Sequence, residues 1–428
     1  MRIYIFKGVI MVLIMRNEDF INYGGMYLER EFLTQFTFEN SKCTCEIESV
    51  IDDDTGNLIK RIAIKKLQDQ PIKMGYVYGS GLKVLSDRHK KEKNNVLGEF
   101  LGIKKDDFES YKSYFEKYGF LFNTNINNYV SINTEDIFYL QETLLAFVQL
   151  MNNQCDYISN KTINSQELLD ACLFLLFRKP KKFIINDNTV LETQKNCLME
   201  IIDNSIEHQD TTDGLKYKNQ NGQQIAYFEI FDSVYNEITT LDQEKYTKIK
   251  ESTNLPNWCK KLLRVYKNKK QLIKDSKWHK VTDFLYHLVF DFVVFDENNI
   301  TLNGIFENDL YEDLKQNEKL FDALIYSSKL LLSDEFHNNL ISVHPVYNVT
   351  TMKPDWKLPS LFSAMYFSLF YLDSSQVGLR KCANPTCNQY FEVSKTNSIK
   401  KYCDSFTCGN TVNQRRYQQK RRDQLKSS

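Results

Sequence analysis

No stretch of this chain reaches the run of about 18 apolar residues that a membrane-spanning helix needs. The first fourteen residues, Met1 to Ile14, are mostly apolar. However, Lys7 and Gly8 interrupt them, no small-residue cleavage site follows, and charge resumes at Arg16, so a secretory signal is not expected. A β-strand, or a natural start at Met11 or Met15 instead of Met1, accounts for the segment better. Net charge is also missing: 55 basic residues balance 55 acidic ones, which excludes a bulk polyanion binder. A disulfide framework is absent too. Of ten cysteines, six (Cys43, Cys45, Cys155, Cys172, Cys197, Cys259) are scattered through a large chain, which fits a reduced, cytoplasmic compartment. There is no internal repeat, and the only low-complexity block is a basic tail.

Catalytic signatures are equally scarce. No Ser or Cys stands in a nucleophile motif. His279, His287, His337 and His344 lack metal-ligand spacing, and Gly75-Tyr-Val-Tyr-Gly79-Ser-Gly81-Leu-Lys83 has the wrong spacing for a phosphate loop and reads as a hairpin end. Glu200-Ile-Ile-Asp203-Asn204 through His208 has the spacing of the N-box of GHKL ATPases, with Asp232 downstream after a strand, and is similar to it in that respect alone. The glycine-rich element that should follow Asp232 is missing, since the chain continues Ser-Val-Tyr. The balance is against an enzyme, and no catalytic residue is assigned.

What is present is an asymmetry. From Arg380 to the end, eleven Lys or Arg face only Glu392, Asp404 and Asp423, a balance of +8, so the preceding chain carries −8. A basic tail on an acidic body points to a separate surface for an anionic partner. The 428 residues suffice for two or three domains, and composition shifts divide them into three: 1–80, 81–375 and 376–428.

Residues 1–80 are β-rich, with strand-sized segments at 29–38, 43–51, 58–64 and 74–78 and a hairpin signal at Asp52-Asp-Asp-Thr-Gly56. Residues 81–375 read as mainly helical. Helical periodicity covers 106–118, closed by Gly119, and 134–150, with Thr134 as N-cap. Further helices are expected at 165–177 (N-cap Ser165), 190–208, 241–269 and 358–372, with a strand at 225–231 and a buried apolar run at 281–295.

The last fifty residues carry the chemistry. Cys382-Ala-Asn-Pro-Thr-Cys387 and Cys403-Asp-Ser-Phe-Thr-Cys408 are two matched pairs separated by fifteen residues. Four thiolates at turn spacing suit one tetrahedral zinc ion, and because four ligands close its coordination sphere the ion is structural, not catalytic. A knuckle around Asn384-Pro385, a strand at Tyr390–Val393 returning through 399–402, a second pair, and a helix starting near Thr411 follow the order of a treble-clef zinc finger. The expected fold is therefore α+β: a β-rich N-terminal region, a mainly helical body and a small zinc finger.

The elements Cys382-Ala-Asn-Pro-Thr-Cys387, Tyr390-Phe391, Tyr402-Cys403, Cys408-Gly409-Asn410 and Arg415-Arg416-Tyr417 resemble the CGNR-type zinc finger of bacterial regulators. The signature arginine is Thr411 here. The resemblance implies a cytoplasmic bacterial regulator whose upstream part is a ligand-sensing domain. The segments Phe108–Leu121 and Ser360–Leu372 also resemble parts of such domains.

The helix after the second pair is polar almost all round and carries Arg415, Arg416, Lys420, Arg421 and Arg422. Such a helix gains little by packing; held by a zinc module, it suits contact with the phosphates of DNA or RNA. The leading expectation is a nucleic-acid-binding, transcription-regulator-like protein. It would take no membrane partner, would sense a small molecule in the body, and has a homo-oligomer within its scope. The alternatives are an enzyme or effector, for example a degenerate GHKL-type ATPase, with the finger for targeting, and a zinc-finger protein-interaction module.

Overall fold

The computed structural model describes residues 2–6, 9–13, 34–51, 56–77, 81–85, 95–123, 129–158, 163–178, 180–185, 188–193, 215–220, 222–232, 237–242, 293–295, 300–302, 318–349, 352–372, 377–394, 400–403 and 408–412, together with isolated positions 247, 251, 414, 415, 417 and 418. It is a mixed α+β structure. At the N-terminus, β1 (Arg2–Phe6) and β2 (Val9–Leu13) pair as an antiparallel hairpin.

The principal sheet is built on two long strands, β3 (Thr34–Ile51) and β4 (Leu58–Val77). They pair antiparallel from Ile51↔Leu58 beside the turn to Thr34↔Val77 at the far end. The four short strands expected from sequence are thus two continuous ones. The polar interruption Asn40-Ser41-Lys42 does not end β3, because it is taken up as a register shift between Ser41 and Cys43. The Asn40 amide donates to the carbonyls of Tyr118 (2.9 Å) and Phe120 (3.0 Å), so tertiary contacts satisfy a side chain that reads locally as a loop residue. The other edge of β4 is shared. β5 (Gly81–Val84) lies along Met74–Val77, and β6 (Val130–Asn133) lies along Arg61–Ile64. Gly75–Val77 accordingly pairs antiparallel with Gly81–Lys83, as the two arms of a hairpin do, with Gly81 at φ 81°.

Six helices are described in the body: α1 (Val96–Gly102), α2 (Phe108–Tyr118), α3 (Thr134–Ile158), α4 (Ser165–Phe177), α5 (Glu318–Leu340) and α6 (Leu361–Phe370). Asp107 caps α2 and Gly119, at φ 81°, closes it. Three expectations about termini are corrected. Asn164, not Ser165, accepts from Glu167 N–H and caps α4. Thr134 is the first residue of α3 and donates to Lys60 O, and α3 runs eight residues past position 150. Ser360 caps α6, leaving Pro359 outside it. The body also contains strands: β7 (Lys182–Ile185) with β8 (Asn188–Glu192), the sheet β11–β10–β9 (Glu237–Asp242, Gln223–Asp232, Leu215–Gln220), β12 (Val293–Phe295) with β13 (Ile300–Leu302), and β14 (His344–Asn348) with β15 (Lys353–Lys357). Strand therefore replaces the expected helix at 190–192 and 241–242, and β10 fulfils the strand expected at 225–231. The GHKL-like segment 200–208 lies outside the described residues, as does most of 241–292.

One connected set of buried side chains runs from Phe36 and Tyr76 in the sheet, through Phe100 and Phe147 of α1 and α3, to Tyr366 of α6. It crosses position 80 without a break. Phe36 lies parallel to Tyr76 (5.8 Å) and against Phe367 of α6 (4.9 Å), tying the N-terminal sheet to the last body helix. The buried Gln141 finds its partners at a helix end: it donates to the carbonyls of Phe100 (2.5 Å) and Ile103 (2.8 Å) at the end of α1 and accepts from Tyr111 OH. Arg178 and Glu335 form a buried fork pair, with Tyr366 OH donating to the same carboxylate. Among the described residues no helix is long and apolar enough to cross a membrane.

Candidate metal centre

After α6 the chain forms β16 (Val377–Lys381) and β17 (Tyr390–Ser394), antiparallel from Lys381↔Tyr390 to Val377↔Ser394. The sequence predicts that Tyr390–Val393 pairs with the returning segment 399–402. Its partner is instead β16, because Val377 and Leu379 supply the alternate apolar positions that a strand needs and are buried. The first cysteine pair is thus the loop of a hairpin. Cys382 N–H donates to Gln389 O (2.8 Å), and Cys387 N–H to Asn384 O (2.9 Å). Asn388 leaves the knuckle in the left-handed region, at φ 51°. The returning segment is held at its edge, where Ala383 N–H donates to Lys401 O (2.9 Å) and Arg380 to Lys400 O (2.8 Å).

This brings the four cysteines together. The Sγ atoms of Cys382, Cys387, Cys403 and Cys408 all lie within 4.8 Å of one another, and Cys387 and Cys403 are 3.6 Å apart. Zinc–sulfur bonds of about 2.3 Å in a tetrahedron place sulfurs about 3.8 Å apart. The cluster therefore fits a single structural zinc ion, and four soft sulfurs are the donor set for it. Hydrogen bonds of the kind that support thiolates are already in place: Asn384 Nδ2 donates to Cys408 Sγ (3.4 Å) and Cys403 N–H to Cys382 Sγ (3.5 Å). Burial pushes the Cys387 thiol up to about 11, so its ionisation at neutral pH needs a cation beside it. Burial opposes ionisation of Cys408 as well, but the Asn384 amide and the neighbouring cysteines outweigh it and leave this thiol below its ordinary value. Cys408 also opens helical backbone at 408–412, three residues before the expected start at Thr411.

Asn384 is the residue whose work sequence reasoning did not see beyond its place in a turn. Its Oδ1 accepts from Thr386 N–H (3.3 Å) and Thr386 hydroxyl (3.1 Å), which sets the knuckle, while its amide reaches Cys408. The dipeptide Asn384-Pro385 between ligands was the available signal.

The module is seated on the body through contacts equally hidden in the sequence. The Asn152 side chain of α3 donates to Leu379 O (2.7 Å) and accepts from Leu379 N–H (3.0 Å), completing the free edge of β16 as another strand would. Replacing Asn152 with Ala leaves both groups of Leu379 without that partner, an expected loss of about 1–3 kcal/mol. Chemical denaturation of the zinc-loaded protein reads it, and an unchanged midpoint at unchanged m-value contradicts it. Helix α1 lies against the knuckle and β17. A Cβ on Gly98 would stand 1.8 Å from Tyr390 O, and one on Gly102 would stand 2.9 Å from Asn388 O. The Gly98-x-x-x-Gly102 spacing, costly inside a helix, was the sign of this close approach.

Four cysteines on a hairpin knuckle and a helix start define a structural zinc finger of treble-clef order. Its sequence agrees: residues 379–421 match the family model of the CGNR zinc finger, so this module is a CGNR zinc finger at the C-terminal end of the chain. No curated protein and no solved structure matches the chain.

Of the expected nucleic-acid residues, Arg415 is exposed on helical backbone; Arg416, Lys420, Arg421 and Arg422 lie outside the described residues.

Proposed function

We propose that the protein binds nucleic acid and acts as a transcription-regulator-like protein, with zinc ordering the finger and the helix after Cys408 set along DNA or RNA phosphates. The observation that carries this reading is a helix start on a metal ligand, next in sequence to a run of basic residues. Helical backbone begins at the metal ligand Cys408 and is described again at Arg415, and the sequence just beyond carries Arg416, Lys420, Arg421 and Arg422, in a tail with eleven basic residues against three acidic. A metal-anchored helix holds its cations in a fixed place, which favours phosphate binding over a frayed tail.

The body's proposed part is to sense a small molecule. A cleft of about 410 Å³ supports this, because it lies between α1–α2 residues such as Lys104, Ser110 and Lys117 and knuckle residues Thr386 and Asn388, where an occupant would touch both units. The free thiols among the described residues favour a cytoplasmic setting.

The test is duplex affinity as a function of salt. Wild type is compared with a full-length variant in which Arg415, Arg416, Lys420, Arg421 and Arg422 are all Gln. Every phosphate that is no longer neutralised flattens the log–log slope by about 0.9, so the variant should bind at least tenfold more weakly at low salt, with a visibly shallower slope. Unchanged affinity and slope contradict the role of the helix, and no binding by wild type to any DNA or RNA contradicts the reading itself.

A further inference from the structure

The joint between finger and body contains one group that its surroundings do not complete. Glu392, at the centre of β17, is 8% exposed and points away from the zinc cluster toward the Gly81 turn that begins β5. Gly81 N–H donates to it, but its Oε2 has no partner among the described residues. Beside it, Asn95 spends its Oδ1 capping α1 at Gly98 N–H (3.1 Å), while its Nδ2, also buried, has no partner among them either. The two side chains converge on one point. A Cβ on Gly81 would meet Asn95 Nδ2 at 1.9 Å and Glu392 Oε1 at 2.9 Å, so only glycine fits at the turn that receives them.

A carboxyl group inserted from the finger into the body, 8% exposed and with one oxygen unpartnered among the described residues, is a poor place for a negative charge and an adequate one for a neutral acid, even though the Asn95 amide beside it is a donor. We propose that Glu392 is a proton-operated latch that holds the zinc finger against the body when protonated and weakens that docking when it ionises.

The charge nearest to it works against protonation but does not outweigh burial. From β5, Lys83 favours the ionised form. From α1, Glu99 is taken up by Lys117 (3.0 Å) and Tyr118 OH (2.7 Å). On β16, Arg380 and Lys381 follow the opposite residue Leu379 and are both exposed. Burial is the dominant influence. It pushes the Glu392 carboxyl up to about 8, with Lys83 and the Gly81 N–H pulling the other way.

The direction of the pH response follows. When the joint opens, Glu392 meets water and returns to the ordinary carboxylate range near 4.3. Opening therefore releases a proton at any pH between that range and about 8, and becomes roughly tenfold easier per pH unit across this window. Below the window the latch is fully closed; above about 8 both states are ionised and the dependence levels off. The latch acts on docking of the finger and does not require the nucleic-acid reading to be correct.

Hydrogen exchange of the zinc-loaded full chain tests it, with protection factors of the amides in Val377–Lys381 and Tyr390–Ser394 measured from pH 6 to pH 8. Wild-type protection should fall at least tenfold across that range, and Glu392→Gln, which cannot ionise, should stay flat. Equal pH dependence in the two proteins, or none in wild type, overturns the proposal. Should Glu392→Gln fail to fold, the carboxyl carbon shift of Glu392 in wild type decides by NMR: a midpoint above 7 supports the latch, and one below that overturns it.

Discussion

Cys403→Ser should unfold the outer half of the finger and leave its inner strand in place. Among the described residues, the apolar cluster around the metal ligands has just Cys382, Phe391, Val393 and Cys408 buried, half of them metal ligands. A core of that size cannot offset the conformational entropy of ordering residues 382–412, at about 1.5 kcal/mol per residue. Zinc makes up the difference: apparent binding free energies for structural zinc in finger peptides are about 10–16 kcal/mol, and they act as folding free energy. Removing one of four thiolates forfeits most of that. The effect should stop at β16, because Val377 and Leu379 belong to the core of the body and Asn152 holds Leu379 from α3. Hydrogen exchange should therefore show residues 400–412 losing protection completely while Val377–Lys381 keeps most of it. Protection of 400–412 equal to wild type would contradict a metal-dependent fold. Equal collapse of β16 would contradict the seating of the finger on the body.

Gly98→Val should do the reverse and loosen the joint while leaving the metal site intact. The added Cβ alone overlaps the Tyr390 carbonyl oxygen, a backbone atom that no rotamer change can move aside. Overpacking in a well-filled core costs about 1–3 kcal/mol, and a side chain driven into a backbone carbonyl sits at or above the upper end of that range. The expected result is a loss of about 3 kcal/mol or more in zinc-loaded protein, with α1 and β17 amides exchanging faster and zinc content unchanged. A melting temperature within error of wild type would mean that α1 and β17 do not approach as closely as described.

These two substitutions divide along the line between what was legible in the sequence and what was not. The metal site was legible because its ligands come in local pairs, and pair spacing survives any arrangement of the rest. Gly119 closing α2 and the antiparallel return from Ile51 to Leu58 were legible for the same reason: each is a rule about a few neighbouring residues. The partner of Tyr390–Val393 was not, because Val377-Gly-Leu-Arg-Lys381 is short and half polar, and only burial of its two apolar side chains in the body makes it a strand. Strand β3 read as two pieces because the carbonyls that satisfy Asn40 are 78 and 80 residues away. The seating of the finger was least legible of all, since Asn152 and Leu379 are 227 residues apart. What sequence presented as a basic module at the end of an acidic body is, in three dimensions, a strand of the body's own core that continues into a zinc site.

The claim on which the rest depends is that four cysteines hold one zinc ion. Elemental analysis of the purified full-length protein, with protein concentration fixed by amino-acid analysis, measures it directly. One equivalent of zinc per chain, falling to below half an equivalent in Cys403→Ser, is the predicted result; below half an equivalent in wild type, or a full equivalent retained by the variant, would contradict it.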